Sequence, residues 1–311
     1  MDGKQLQTQY KEHLSDFNNW NQKEHAEDFI LYPKNIGYHL CIDETALSKG
    51  ELYTILTNRD KHGRKGTIVA IVKGTKAEDV INVLLKIDAD KRNQVKEITL
   101  DMAGSMQKIA KRCFPGAMQV VDRFHVSKLV YEAVQDLRIA YRWQVMKDEN
   151  RKIKEAKAKG ESYEPKVFGN GDTLRQLLAG SRYLLFKAPD KWLQSQKVRA
   201  KLLFEQFPDI KSVYYYALRL GKIFSDYTDK DVARAKLALW YNEIEEFGYD
   251  TFTTVANSIE NHYERILNYF VNRSTNAAAE AFNAKIKAFR ASFRGVVDKR
   301  FFLYRLAKVY A

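Results

Sequence analysis

From residue 38 the apolar positions fall into short runs bounded by turn residues, the pattern of β-strands. YHLCID (38–43) is a short strand ending in a carboxylate, and ELYTILT (51–57) and TIVAIV (67–72) follow it. The links KG and DKHGRKG are turn-like, which predicts three antiparallel strands in meander order. The period then changes. AEDVINVLLKI (77–87) repeats its apolar residues every 3.6 positions and predicts a helix, VKEITL (95–100) predicts a strand that ends at Asp101, and residues 106–113 predict a short helix closed by Pro115 and Gly116. A fifth strand over 118–121 runs straight into Asp122, Arg123, Phe124 and His125.

Three strands in a meander, followed by strands joined through helical crossovers, is the order of a ribonuclease-H-like α/β sheet, with the later strands paired in parallel. Beyond His125 the pattern turns wholly helical. LVYEAVQDLRIAYRWQVM is one amphipathic helix, DENRKIKEAKAKGESYEPK reads as a solvated excursion, and four further helical stretches reach to about residue 272. This block is too long for a loop and too apolar for a tail, so it predicts an all-helical insertion with its own core. Trp143, Trp192, Phe204, Tyr215 and Trp240 recur at helical positions in it and are expected to pack there. The organisation expected is a lead-in over 1–35, the first part of the catalytic domain over 36–125, the insertion over 126–272, and C-terminal helices over 273–311 that complete the catalytic domain.

Composition narrows the class of partner. Among 311 residues, 52 Lys and Arg against 39 Asp and Glu give a net charge of +13, which favours an extended polyanion such as nucleic acid. Tyr and Phe scattered among the basic residues suit base stacking. The two cysteines, Cys41 and Cys113, lie far apart in apolar stretches, which points to a reducing compartment and away from a zinc site. The polar start MDGKQLQTQY and the lack of a long apolar run lead to the expectation of a cytoplasmic protein with no membrane partner.

The candidate chemistry centres on NAAAEAFNAKIKAF (276–289), which reads as a helix capped by Asn276. Glu280 and Asn283 lie three apart and share a face, and Lys287 sits one turn further on. A carboxylate, an amide and an ammonium along one edge suit a divalent metal and neighbouring phosphates, provided other carboxylates converge there. Asp43 and Asp101 are the candidates, because sites in parallel sheets gather at the carboxyl ends of strands. Two-metal phosphoryl transfer needs several such carboxylates to hold a pair of Mg²⁺ ions.

With these residues in view, the chain resembles the ISL3-type insertion-sequence transposases, within the DDE transposases of ribonuclease-H-like fold. The resemblance rests on IDETALSKG (42–50), TLDMAGSM (99–106), VVDRFHV (120–126) and TNAAAEAFNAKIK (275–287), four motifs in order. It implies that Asp43, Asp101 and Glu280 are the three catalytic acids and the ligands of two Mg²⁺ ions, with Mn²⁺ as a substitute. Asp122 and His125 then look like the D-x-x-H pair of many such enzymes. Either His125 contacts a phosphate near the site with Asp122 orienting it, or the pair ties the last strand to the insertion. Asn283 and Lys287 are accessory candidates beside the metals. Lys285, Lys287, Arg290, Arg294, Lys299 and Arg300 form a basic series expected to track the DNA backbone.

The implied activity is hydrolysis at the ends of a mobile element and transfer of the freed 3′-hydroxyl to target DNA. The implied partners are double-stranded DNA, both element ends and target, and a second copy of the chain on that DNA. The cysteine-rich zinc segment and helix-turn-helix usual in the family are missing from this sequence, so terminal-repeat recognition is expected from a separate polypeptide, or else the chain is a truncated copy. A nuclease of the same fold that only hydrolyses, and a non-catalytic DNA-binding relic, are the alternatives.

Overall fold

The computed structural model describes residues 3–48, 50–293 and 295–311. Its chain divides into two compact units, residues 1–122 with 264–311 and residues 123–263.

The first unit is built on a six-stranded mixed sheet. In chain order its strands are β1 (Phe29–Leu31), β2 (His39–Ser48), β3 (Glu51–Asn58) and β4 (Ile68–Lys73); helix α1 (Ala77–Leu84) leads to β5 (Glu97–Leu100), and α2 (Gly104–Cys113) leads to β6 (Met118–Val121). The spatial order is β1-β4-β3-β2-β5-β6. β2, β3 and β4 pair antiparallel, whereas β2 with β5 and β5 with β6 pair parallel, as helical crossovers require. This is the ribonuclease-H-like α/β arrangement that the strand order implies.

Three expectations are corrected. β1 lies inside the stretch read as a featureless lead-in; three residues are too few to show a period, and pairing with β4 supplies what local pattern does not. The helix expected over 77–87 ends at Leu84 and is followed by a short helical turn, Ala89–Asn93. β2 does not stop at Asp43 but continues to Ser48, because β3 goes on pairing with it, Asp43 opposite Ile55 and Thr45 opposite Tyr53. Its parallel partner β5 gives out earlier, the last paired positions being Cys41 and Thr99.

The second unit opens with α3 (Arg123–Ala158) and continues through α4 (Leu174–Gly180), α5 (Gln194–Gln206), α6 (Pro208–Asp226), α7 (Lys230–Phe247) and α8 (Asp250–Asn261). Local chemistry marks these ends: Thr173 and Gln176 form a capping box before α4, Asp229 accepts from two amides at the start of α7, and Gly248 closes α7 at φ 70°. No strand occurs among its described residues beyond a single bridge between Val167 and Thr173. Here too two readings change. The charged stretch after residue 147 is the continuation of α3 as far as Ala158, since i,i+3 and i,i+4 pairs such as Arg151 with Asp148 and Glu155 support a helix that buries little. Trp240 is buried at 2% exposure, but Trp143 at 65% and Tyr215 at 46% lie on the surface, so helical spacing alone did not place them inside.

The chain returns to the first unit at Glu264, so residues 264–272, helical by pattern, group with the sheet. It ends in α9 (Ala277–Ser292) and α10 (Lys299–Tyr310). Phe282 and Ile286 of α9 and Phe302, Leu303 and Leu306 of α10 pack on Leu47, Tyr53, Ile55 and Ile71 of the sheet. A fully buried Phe or Leu contributes about 1.5–3 kcal/mol, so this layer holds α9 against the sheet.

Candidate active site

Strand alternation puts Cys41, Asp43, Thr45 and Leu47 on the sheet face that receives α9. The parallel register Cys41 to Thr99 makes Asp43 and Asp101 equivalent positions, each two residues beyond the last pair. Neighbouring strands run about 4.7–4.9 Å apart, which brings both carboxylates to one level where β2 outruns β5. The Glu44 amide donates to Asp43 Oδ1 at 2.8 Å, and the Ala103 amide donates to Asp101 Oδ1 at 2.8 Å.

The late helix meets the first of the two directly. Asn283 Nδ2 donates to Asp43 Oδ2 at 2.7 Å, across 240 positions of sequence. Glu280 lies one turn before Asn283 on the same edge of α9 and is exposed; Lys287, one turn after, is exposed too. Asn276 begins the helix, but its side chain does not cap it. Instead Asn276, completely buried, accepts from Thr99 Oγ1 at 3.1 Å. The expected cap is therefore a contact to the sheet.

Glu44, which sequence reading did not single out, follows Asp43 on β2 and by alternation turns to the other face of the sheet. It is half-buried, and burial, then the charges of Asp101 and Asp43, hold its carboxyl above the usual range. Burial likewise pushes the Cys41 thiol up to about 11; the Thr99 hydrogen bond and Arg59 oppose the shift, while the carboxylates of Asp122 and Asp43 add to it. Acidic charge thus concentrates around Asp43. Its position directly after Asp43 was the only signal available for Glu44.

The proposed ligands fit a hard divalent cation in kind, since all are carboxylate oxygens. As placed, no three His, Cys, Asp or Glu side chains among the described residues are arranged to hold an ion. The structure brings together Asp43, Asp101 and Asn283 and sets Glu280 on the adjoining helical edge.

The remaining candidates divide. Asp122 is buried at 1% exposure at the end of β6, where its amide donates to Leu100 O, and His125 lies in the first turn of α3. Four of the basic series are engaged within the chain: Lys285 donates to Gly63 O, Arg290 to Ala46 and Leu47 O, Lys299 pairs with Glu51, and Arg300 pairs with Glu27. Arg294 lies outside the described residues.

A mixed sheet of this order, with a late helix packed on it, defines a ribonuclease-H-like protein. The sequence model of the ISL3-type DDE transposases, described as transposase, matches residues 40–306, and the chain belongs to that family. DNA transposition is the activity to which membership assigns it. A comparison with curated proteins finds no match. No described helix is long and apolar enough to cross a membrane.

Proposed function

We propose that this protein cuts the phosphodiester at the ends of its mobile element and joins the freed 3′-hydroxyl to target DNA, using Asp43, Asp101 and Glu280 as its DDE triad. The observation that carries the reading is the bond from Asn283 to Asp43, which ties the Glu280 helix to one strand carboxylate at the level where the neighbouring strand reaches Asp101. Those three carboxylates would hold two Mg²⁺ ions, or Mn²⁺, which when bound supply activation of the attacking oxygen and stabilisation of the leaving one. Asn283 orients Asp43, and Lys287 meets a phosphate oxygen of the scissile strand. Asp122 and His125 keep two roles open, a phosphate contact or a tie at the end of the sheet.

The partners in this reading are element ends and target DNA, and a second copy of the chain pairing the two ends. With net charge +13, binding of the chain to duplex DNA is expected to fall steeply as salt rises and to show little sequence preference, measured by fluorescence anisotropy across a salt series.

The deciding experiment incubates the protein with labelled element ends, Mg²⁺ and a target plasmid. Joined products support the reading. Nicked ends without joining would make the protein a nuclease, and binding without cleavage would make it a relic.

A further inference from the structure

Between the last helical turn before α9 and α9 itself, the returning chain is tied to the sheet by side chains that the chemistry does not use. Asn268 Nδ2 donates to Gln119 O of β6 at 3.0 Å, and Asn272 Nδ2 donates to Glu97 Oε2 of β5 at 2.9 Å. Ser274 also hydrogen-bonds Glu97, whose other oxygen accepts from Arg59 of the β3–β4 connection. Asn276 then reaches Thr99, the same Thr99 whose hydroxyl lies 2.8 Å from Cys41 Sγ on β2. The ties follow β5 in order: Asn272 and Ser274 at Glu97, Asn276 at Thr99, with Asp101 two residues further along the same strand.

Three features set this row apart from ordinary surface polarity. Glu97, Thr99 and Asn276 are each no more than 1% exposed, and on β5 Glu97 and Thr99 alternate with the apolar Ile98 and Leu100. A buried carboxylate persists only with partners, and Glu97 has an arginine, an amide and a hydroxyl. Arg273, between two tied residues, holds φ at 51°, the left-handed region that residues with a Cβ avoid, and the anchors on either side fix that turn.

We propose that Glu97, Thr99 and Asn276 are positioning residues for strand cleavage: they clamp the returning chain onto β5 and so set the height at which α9 presents Glu280 to Asp43 and Asp101. The inference rests on the triad reading above and deepens it. From Asn276 to Asn283 a helix rises about 10 Å. Its two ends touch the sheet at Thr99 and at Asp43, and Glu280 lies between these contacts. A helix held at two points cannot slide, whereas one held only by the apolar layer of Phe282 and Ile286 can slip without losing burial.

The test uses Thr99→Val, which keeps the shape of the side chain and removes its hydroxyl, and Asn276→Ala, with Thr99→Ser as the conservative control. Three measurements are made on the full chain: thermal unfolding, Mg²⁺-dependent cleavage of labelled element ends across DNA concentrations, and amide exchange over residues 277–283. The expected result is that both variants stay folded, kcat falls about 10–100-fold while KM for DNA holds, exchange over 277–283 accelerates, and Thr99→Ser restores the rate. Unchanged cleavage by folded variants, or unchanged exchange over 277–283, would overturn the proposal. Unfolding of both variants would overturn it as well, by making the row part of general stability. If the wild-type protein cuts nothing, the function reading falls, and the exchange measurement alone then decides the placement.

Discussion

The two units keep their polar groups in different ways. In the sheet unit, buried polar side chains join segments far apart in sequence: Asn35 reaches Ile68 O, Asn58 reaches Asn35 O, Glu97 receives Asn272, and Thr99 meets Asn276. In the helical unit, the buried polar side chains among the described residues are Gln135, Arg138 and Ser181, gathered at one knot in which Arg138 donates to Gln135 and to Leu178 O. Elsewhere its aromatic side chains carry the polar ties: Trp192 stacks on Tyr214, whose hydroxyl donates to Lys187 O, and Tyr249 donates to Asp209. Apolar packing tolerates adjustment, while a row of directional bonds permits one register. In the sheet unit such a row follows a single strand, β5, toward Asp101.

The largest effect that would sharpen this contrast is at the triad. Asp43→Asn, Asp101→Asn and Glu280→Gln should each lower Mg²⁺-dependent cleavage by about 10⁴-fold or more, in a gel assay, with folding kept by circular dichroism. Substantial activity in Glu280→Gln would remove α9 from the mechanism.

In the helical unit the corresponding large effect is on stability alone. Trp240 is buried and its indole nitrogen donates to Tyr216 O at 2.9 Å, so Trp240→Ala should cost about 3–5 kcal/mol in denaturant unfolding.

Acid should weaken both units. Burial acts to raise the Glu97 carboxyl, but the hydrogen bonds from Asn272, Ser274 and Arg59 and the charge of Arg59 outweigh it and leave the group below its ordinary 4.5. A lowered carboxyl contributes stability that is fully present above the unfolded value and is lost as pH falls through the folded one. Asp172 in the helical unit, held below 3.8 chiefly by the Arg199 hydrogen bond, follows the same sign. Melting temperatures should therefore drop below about pH 4.5, and Glu97→Gln should flatten the part of that slope due to the sheet unit.

The smallest effect is expected at Trp143, whose exposure of 65% predicts that Trp143→Ala changes stability by no more than about 0.5 kcal/mol. A loss near that of Trp240 would mean that spacing was a better guide to burial than the surface is.

Much of the fold was legible because period and turn chemistry act locally: the meander, the crossover strands and the helical block follow from them. The candidate carboxylates at 43, 101 and 280 were marked by the strand and helix on which each sits. What lay hidden depended on partners. β1 exists through β4, the far half of β2 through β3, and the true role of Asn276 through Thr99, whereas sequence alone makes Asn276 an ordinary cap. Glu44 was overlooked because what distinguishes it is burial and then the charges of Asp101 and Asp43, which no local pattern shows. The neighbours of the basic series were hidden in a similar way, since a charge run shows neither Gly63 beside Lys285 nor Glu51 beside Lys299.

The sheet unit is interrupted by 141 residues of another unit, from Arg123 to Tyr263, and finished only by α9 and α10. Synthesis proceeds from the amino terminus, so the ribosome delivers Asp43 and Asp101 long before Glu280, and the row that seats the last helix waits for Asn272, Ser274 and Asn276. A nascent chain that has not yet reached α9 thus displays two of the proposed acids but no completed centre. Under the proposed function, translation itself delays DNA cutting until α9 has been made.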